Sequence, residues 1–351
     1  MAVDQPVDDF PLQGADIEAV LAALAAQLDA YVFPEVAEII QADIQQRLDA
    51  GGYSAIKGGQ QLADTLTAQL QELSGDRTLR LHFSPMVLPD IDADAPPTPD
   101  EIARQCQASR RRNFDVNKVE RLPGNIGYIQ LFSFEPLDFA ADTLVAAMAL
   151  VAHTDGLILD LRYNQGGTPA TVAFLCSYLF PPHPPIHLND LYWSATDETH
   201  QWWTLPHVPG PRYLDRSVFV LTSPNTASAA EEFAYNLQAL KRATVVGETT
   251  RGAANPGRGF RLQDHFWVFM PTGQAINPVT GRNWDGTGVM PDVKVPTEVA
   301  LDTAHLIALN QLLEAGATGS ARRELEETLP RVERSLQQKR QDLMANLGGN
   351  G

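Results

Sequence analysis

Between residues 16 and 74 the apolar positions recur at spacings of three and four. Ile17, Val20, Leu21, Leu24 and Leu28 form one stripe. Val36, Ile39, Ile40, Ile44 and Leu48 form a second, which stops at Gly51-Gly52, and Leu62, Leu66, Leu70 and Leu73 form a third, which stops at Gly75. That periodicity predicts three amphipathic helices, and a glycine just past the last apolar residue is a helix end. Short connections join them into a small N-terminal helical bundle. LRLHF (79–83) then alternates as a strand does.

The pattern breaks near residue 90. PDIDADAPPTPDE is rich in proline and aspartate and predicts a linker over 89–112. The cluster Arg110, Arg111 and Arg112 within it reads as a solvated turn or helix end. From 113 to 317 strand and helix patterns alternate: NIGYIQLFSF, DFAADTLVAAMALVAH, GLILDLRYN, GGTPATVAFLCSYLF, SVFVLTS, ASAAEEFAYNLQAL and RATVVGE, with FRLQDHFWVFMP and the segment near KVP as further strands. Apolar strands separated by helices predict an α/β core, a mostly parallel sheet flanked by helices, beside the bundle of residues 1–88. The tail, 318–351, is charged and helix-prone, and Pro330 is expected to interrupt it. It suits a terminal helix or a homo-oligomer contact. In parallel sheets, sites gather where strands end at their carboxyl side. Two loops satisfy that rule: QGG after LILDLRYN, and PNTASAAEE after VFVLTS.

Composition narrows the function. With 26 Lys plus Arg against 43 Asp plus Glu, the formal charge is −17. Nucleic-acid phosphates and anionic membrane surfaces both demand a basic face, so neither is expected as a partner. The 2 cysteines, Cys106 and Cys176, make neither a metal pattern nor a disulfide framework. Cys176, inside TVAFLCSYLF, is expected as a buried small hydrophobe. No histidine pair has metal-ligand spacing, so no metal or cofactor is expected. The first residues, MAVDQPVDDFPL, lack the basic and apolar regions of a signal peptide, and no run reaches the ~18 apolar residues of a membrane span. A cytoplasmic protein is expected, or an exported one if a leader has been trimmed away.

Ser228 lies in TASAAEE, where a strand gives way to a helix. A helix start offers free N–H groups and partial positive charge, which suit an oxyanion. If Ser228 attacks a carbonyl, the Ala229 N–H is a natural donor, and Gly166-Gly167 can bring a second backbone N–H close. The plainer account is that Thr226 or Ser228 caps a helix and the glycines make a turn.

GYIQLFSF, GLILDLRYNQGG, VFVLTSPNTASAAEEFAYNLQALKRATVVGETTRGAANPG and DHFWVFMPTGQAINPVTGRNWDGTGVMPDVKVP together resemble the tail-specific, or C-terminal-processing, serine peptidases. The resemblance is strongest to the branch of tricorn-type peptidases and interphotoreceptor retinoid-binding protein. YVFPEVAEII and LADTLTAQLQELSGDRTLRLHFSP resemble that branch's N-terminal domain. The resemblance implies a crotonase-type (ClpP-like) core and a peptide or protein substrate. It places Ser228 at the nucleophile, and Ala229 with the Gly166-Gly167 loop at the oxyanion hole.

The remaining family positions depart from the pattern. Where one group of relatives has a lysine 25 residues after the serine, this chain has Ala253. The histidine of the other group falls in a segment that here reads Asp76-Arg77-Thr78-Leu79-Arg80-Leu81, with Thr78 at its position. Threonine cannot act as a base near neutral pH. A second family histidine is Asn255, and the family's Trp-Glu-Gly is Trp284-Asp285-Gly286, one methylene shorter in reach. His265 is a possible alternative base if the fold brings it to Ser228, although its alternating strand suits a structural role. Two functions follow: a serine peptidase working through Ser228, or a peptidase-fold binding protein for a peptide tail or apolar small molecule. In the second, Tyr192, Trp193, Trp202, Trp203, Phe266 and Trp267 could line an apolar pocket.

Overall fold

The structure, a computed structural model, describes residues 10–89 and 96–348. The outermost parts of the predicted N-terminus and tail, and residues 90–95 of the predicted linker, lie outside the described residues. In chain order the helices are α1 (Gly14–Gln27), α2 (Pro34–Asp49), α3 (Gly59–Ser74), α4 (Pro99–Arg111), α5 (Leu137–Val151), α6 (Pro169–Ser177), α7 (Ala229–Ala239), α8 (Ala300–Glu314) and α9 (Gly319–Gly348). The strands are β1 (Arg80–Phe83), β2 (Val116–Leu122), β3 (Ile126–Leu131), β4 (Gly156–Asp160), β5 (His187–Trp193), β6 (Glu198–Trp203), β7 (Ser217–Thr222), β8 (Thr244–Gly247), β9 (Gly257–Gln263), β10 (Phe266–Pro271), β11 (Gly273–Ile276) and β12 (Val293–Lys294). They fall into two compact units. One takes residues up to 97 with 191–200 and 255–275, and the other takes 98–190, 201–254 and 276 onward.

In the first unit the three predicted helices bury Leu21, Leu24, Leu28, Ile40, Leu62 and Leu66 in one core. Ile39 departs from its predicted stripe and is 56% exposed, because α2 turns Ala37, Ile40 and Ile44 inward instead. The bundle also carries a sheet of order β1-β10-β9, antiparallel throughout, with Leu81 opposite Val268. FRLQDHFWVFMP therefore serves this unit rather than the α/β alternation. Alternation identifies a strand but not the sheet it joins.

The second unit holds a six-stranded sheet of order β12-β8-β7-β4-β3-β2. All neighbours are parallel except the edge strand β2, which runs antiparallel to β3. Every residue of β4 is buried, as a strand covered on both faces requires. Its side chains alternate between the layers. Ile158 joins Phe219 and Leu221 against Ala304, Ala308 and Leu309 of α8 and Leu325 and Val332 of α9. Leu159 faces Leu144 and Met148 of α5, Leu175 of α6 and Phe233 of α7.

Two predicted features are corrected. Residues 99–111, expected within a linker, form α4, because Thr98 and Glu101 make a capping box and Pro99 pre-sets the first turn. Its last residues, Arg110 and Arg111, are exposed as expected, while Arg112 pairs with Asp115 and Glu135. Pro330 does not interrupt α9. It sits on the exposed side, where the carbonyl it leaves unpaired meets solvent, while Leu325, Thr328, Val332 and Leu336 anchor the helix on both sides of it. The apolar face of α9 is thus covered by this chain's own core. Cys176 is buried and Cys106 partly so, both free, and no helix of the described residues is long and apolar enough to cross a membrane.

The burial pattern sets the outcome of two substitutions. Leu24→Ala should cost about 2–5 kcal/mol, whereas Ile39→Ala should stay within about 0.5 kcal/mol. Urea unfolding midpoints of the two variants would separate a buried from a solvent-facing stripe position.

Candidate active site

The carboxyl ends of β4 and β7 deliver the two predicted loops to one place. A buried pair fixes the first. The Arg162 guanidinium donates to both Asp160 oxygens, at 2.9 and 2.7 Å, and to the Thr297 carbonyl at 2.7 Å. Tyr128 donates to the same carboxylate at 2.6 Å, so burial and the adjacent charge hold its phenol above the ordinary range. Asn164, fully buried, then donates to the Leu131 carbonyl at 2.9 Å and accepts the Gly166 N–H at 2.8 Å. The loop after β7 is stitched to this one. Thr226 Oγ1 donates to the Leu161 carbonyl at 2.8 Å, Ser223 Oγ donates to the Arg162 carbonyl, and the Ala227 N–H donates to the Asn164 carbonyl at 3.0 Å.

Gly166 shows how close the loops come. A Cβ added there would lie 2.7 Å from Ser228 Cβ and 3.1 Å from the Ala229 nitrogen, and its φ of +108° already disfavours any other residue. At Gly167, with φ +144°, a Cβ would meet the Phe134 carbonyl oxygen at 2.1 Å. Only glycine fits at either position. The Gly166 N–H is taken by Asn164, so of the predicted pair only Gly167 keeps an N–H that donates to no protein acceptor among the described residues. The same holds for Ala229, the first residue of α7.

Ser228 is exposed and adopts φ 54°, ψ −125°. A side chain there is strained by about 1–3 kcal/mol. The strain is held by Glu231, for which the sequence analysis above names no role. Its side chain is fully buried, with the residue 0% exposed. Oε2 accepts the Ser228 N–H and the Ala253 N–H, each at 2.9 Å. Oε1 accepts the Gly252 N–H at 2.6 Å and the Thr250 hydroxyl. Ser228-x-x-Glu231 is a capping-box pattern, and that was the available signal. The partners at 250–253 come from the loop after β8 and only the fold supplies them.

That loop leads to Asp285. Ala254 donates its N–H to Asp285 Oδ1 at 3.1 Å, Gly286 donates to the Gly252 carbonyl at 2.9 Å, and Val289 donates to Thr250 Oγ1 at 2.7 Å. Asp285 thus braces the strip that Glu231 binds. Ala253 lies in that strip, and its N–H shares Glu231 Oε2 with the Ser228 N–H.

The other predicted residues belong to the first unit. Thr78 donates its hydroxyl to Asp76 Oδ1 at 2.6 Å, and Asp76 also accepts from Tyr31 at 3.0 Å. Thr78 precedes β1, outside the strand. His82 stacks on Trp267 at 4.0 Å, with burial and then Arg80 lowering its pKa. His265 binds the Ser84 carbonyl through Nδ1 at 2.9 Å and packs on Phe10, a local structural role. In the second unit, His187 pairs with Asp190 and stacks on Trp203, and His305 binds the Pro123 carbonyl. Asn255 is buried in the first unit. The aromatic residues proposed for one pocket have separate roles, since Phe266 is core, Trp267 stacks on His82 and Trp203 stacks on His187.

Residues 125–295 match the pattern of peptidase family S41. Residues 14–111 match the N-terminal domain described for that family in eukaryotic IRBP. A carboxyl-terminal-processing protease of Synechocystis is 30% identical over 171 residues, which is 48% of this chain and 38% of that protein. The chloroplastic carboxyl-terminal-processing peptidase 1 of Arabidopsis thaliana is 26% identical over 200 residues, 55% of this chain and 38% of that one. The matched segments thus span under half the length of these relatives. The photosystem II D1 C-terminal processing protease superposes with a TM-score of 0.50 at 17% identity, covering 82% of this chain and 95% of that one. A lipoprotein from Streptococcus agalactiae superposes with a TM-score of 0.51 at 17% identity, covering 87% of this chain and all of that one. At these identities the structural likeness is one of fold.

Glu231→Gln tests the brace. An amide NH₂ would face an N–H donor on one side of the carboxylate, so stability should fall by about 3 kcal/mol or more. The check is a melting curve alongside Glu327→Gln, a solvent-facing control that should shift little.

Proposed function

Because the chain belongs to peptidase family S41, we propose that it is a serine-type peptidase acting through Ser228. In this reading Ser228 Oγ bonds to a peptide carbonyl carbon, and the carbonyl electrons move to oxygen. Ala229 N–H and Gly167 N–H receive that oxyanion. The C–N bond then breaks, the amine leaves with a proton, and water hydrolyses the acyl ester. The observation that carries this is Ser228's strained conformation beside two uncommitted backbone donors. It matches the placement of nucleophiles on sharp strand-to-helix turns. Asp285 serves as a positioning residue through the 252–254 strip.

The Ser228 proton needs an acceptor, and the two family positions for one hold Thr78 and Ala253. A serine site stripped of its base still accelerates hydrolysis by ~10³–10⁴ over water through its oxyanion hole and binding. A slow peptidase is the outcome this chemistry supports. The same two substitutions favour a second reading, a scaffold that holds a peptide tail or apolar small molecule without cleaving it.

A fluorophosphonate probe separates them. It should label wild type and not Ser228→Ala, and resistance of wild type at high probe concentration would transfer the case to the binding reading. Thr78→His would inherit Asp76 as a partner for its ring and should raise peptide hydrolysis by roughly 10²-fold. An unchanged rate would separate position 78 from the reaction.

A further inference from the structure

One residue beyond Glu231, α7 buries a second acid that the chemistry above does not use. Glu232 is buried, and its surroundings are amides and a thiol. Asn189 of β5 and Asn236 of α7, both fully buried, lie close enough to favour its charged form. Yet Glu232 Oε1, both polar atoms of Asn189 and Asn236 Nδ2 make no strictly formed hydrogen bond among the described residues. Asn236 Oδ1 does accept from Asn277 Nδ2 at 2.9 Å. Asn277 in turn accepts the Val279 and Thr280 N–H groups at 3.0 and 3.1 Å, shaping the loop that continues to Asp285.

The facing groups settle the charge. From α6 comes Cys176, its thiol pushed well up by burial and then by Glu232. Neighbouring Glu231 is committed to Ser228 and the 250–253 strip. No cation faces Glu232 among the described residues. A carboxylate taken from water without a cation costs far more than a neutral acid.

We propose that Glu232 works as a neutral carboxylic acid, a positioning residue that joins the nucleophile helix to Asn189 and, through Asn236 and Asn277, to the Asp285 loop. Its ionisation puts an unpaired charge inside that contact and loosens both. Burial lifts its pKa from 4.5 to about 8, with the two amides pulling slightly the other way. The folded pKa is the higher one, so the folded chain keeps a proton that the unfolded chain releases. The resulting stabilisation is complete below the ordinary value and is lost as pH rises to about 8.

The link to reactivity rests on Ser228 being the nucleophile, whereas the protonation state does not. Wild type and Glu232→Gln are compared between pH 5 and 9. At neutral pH the infrared band of a protonated carboxyl should be present in wild type and absent in the variant. The melting temperature of wild type should fall relative to the variant between pH 5 and 8. The ratio of fluorophosphonate labelling rates, variant to wild type, should grow several-fold from pH 7 to 9. A missing band, or parallel pH profiles, overturns the proposal. If neither protein labels at any pH, the peptidase reading falls, and the band and the melting curves still decide the state of Glu232. Should Glu232→Gln fail to fold, Asn189→Leu serves instead. Removing an amide that favours the charged form should move the alkaline transition to higher pH, and an unmoved transition overturns the proposal.

Discussion

The arrangement around Ser228 depends on one buried carboxylate. Glu231 accepts N–H groups from Ser228, Gly252 and Ala253 and the hydroxyl of Thr250. Three of these donors belong to a loop about 20 residues further along the chain. Without that carboxylate, several donors would be left unsatisfied inside the protein, each at a cost of about 1–3 kcal/mol. With it, the start of α7 and the strip after β8 become one object, and a turn that a serine does not favour is held in place. The Asp160–Arg162 pair does comparable work on the other side, fixing the end of β4 so that Asn164 can set the glycine loop.

Much of this was legible in the sequence, but in a particular order. Continuous apolar runs separated by helical ones predict the parallel sheet, because burial on both faces leaves that pattern in each strand independently. The strand-to-helix turn at Ser228 is legible for the same reason, since its strand, its small residues and its helix are contiguous. Glu231 was not recognised, although it stands three residues from Ser228. A cap signal looks the same whether the carboxylate closes one helix end or gathers a distant loop. The β9–β10 hairpin was read as strand and assigned to the wrong sheet, since its partner β1 precedes it by some 170 residues and leaves no local mark. The helix α4 lay hidden behind a proline-rich approach, where the informative pair was Thr98 and Glu101.

The departures from the family pattern sit in settings of different kinds. Ala253 lies in the strip that Glu231 binds, so it belongs to the immediate frame of Ser228. Thr78 belongs to the first unit and is a satisfied residue, its hydroxyl given to a buried aspartate that also holds Tyr31.

Ser228 carries an implication through its backbone. Glycine would occupy its φ of 54° and ψ of −125° without penalty, so the conformation there is one that the residue itself does not prefer. It is imposed by the frame that Glu231 builds from the start of α7 and the strip after β8. The hydroxyl is therefore presented from a stiff support, set by a distant loop, and not from a relaxed turn.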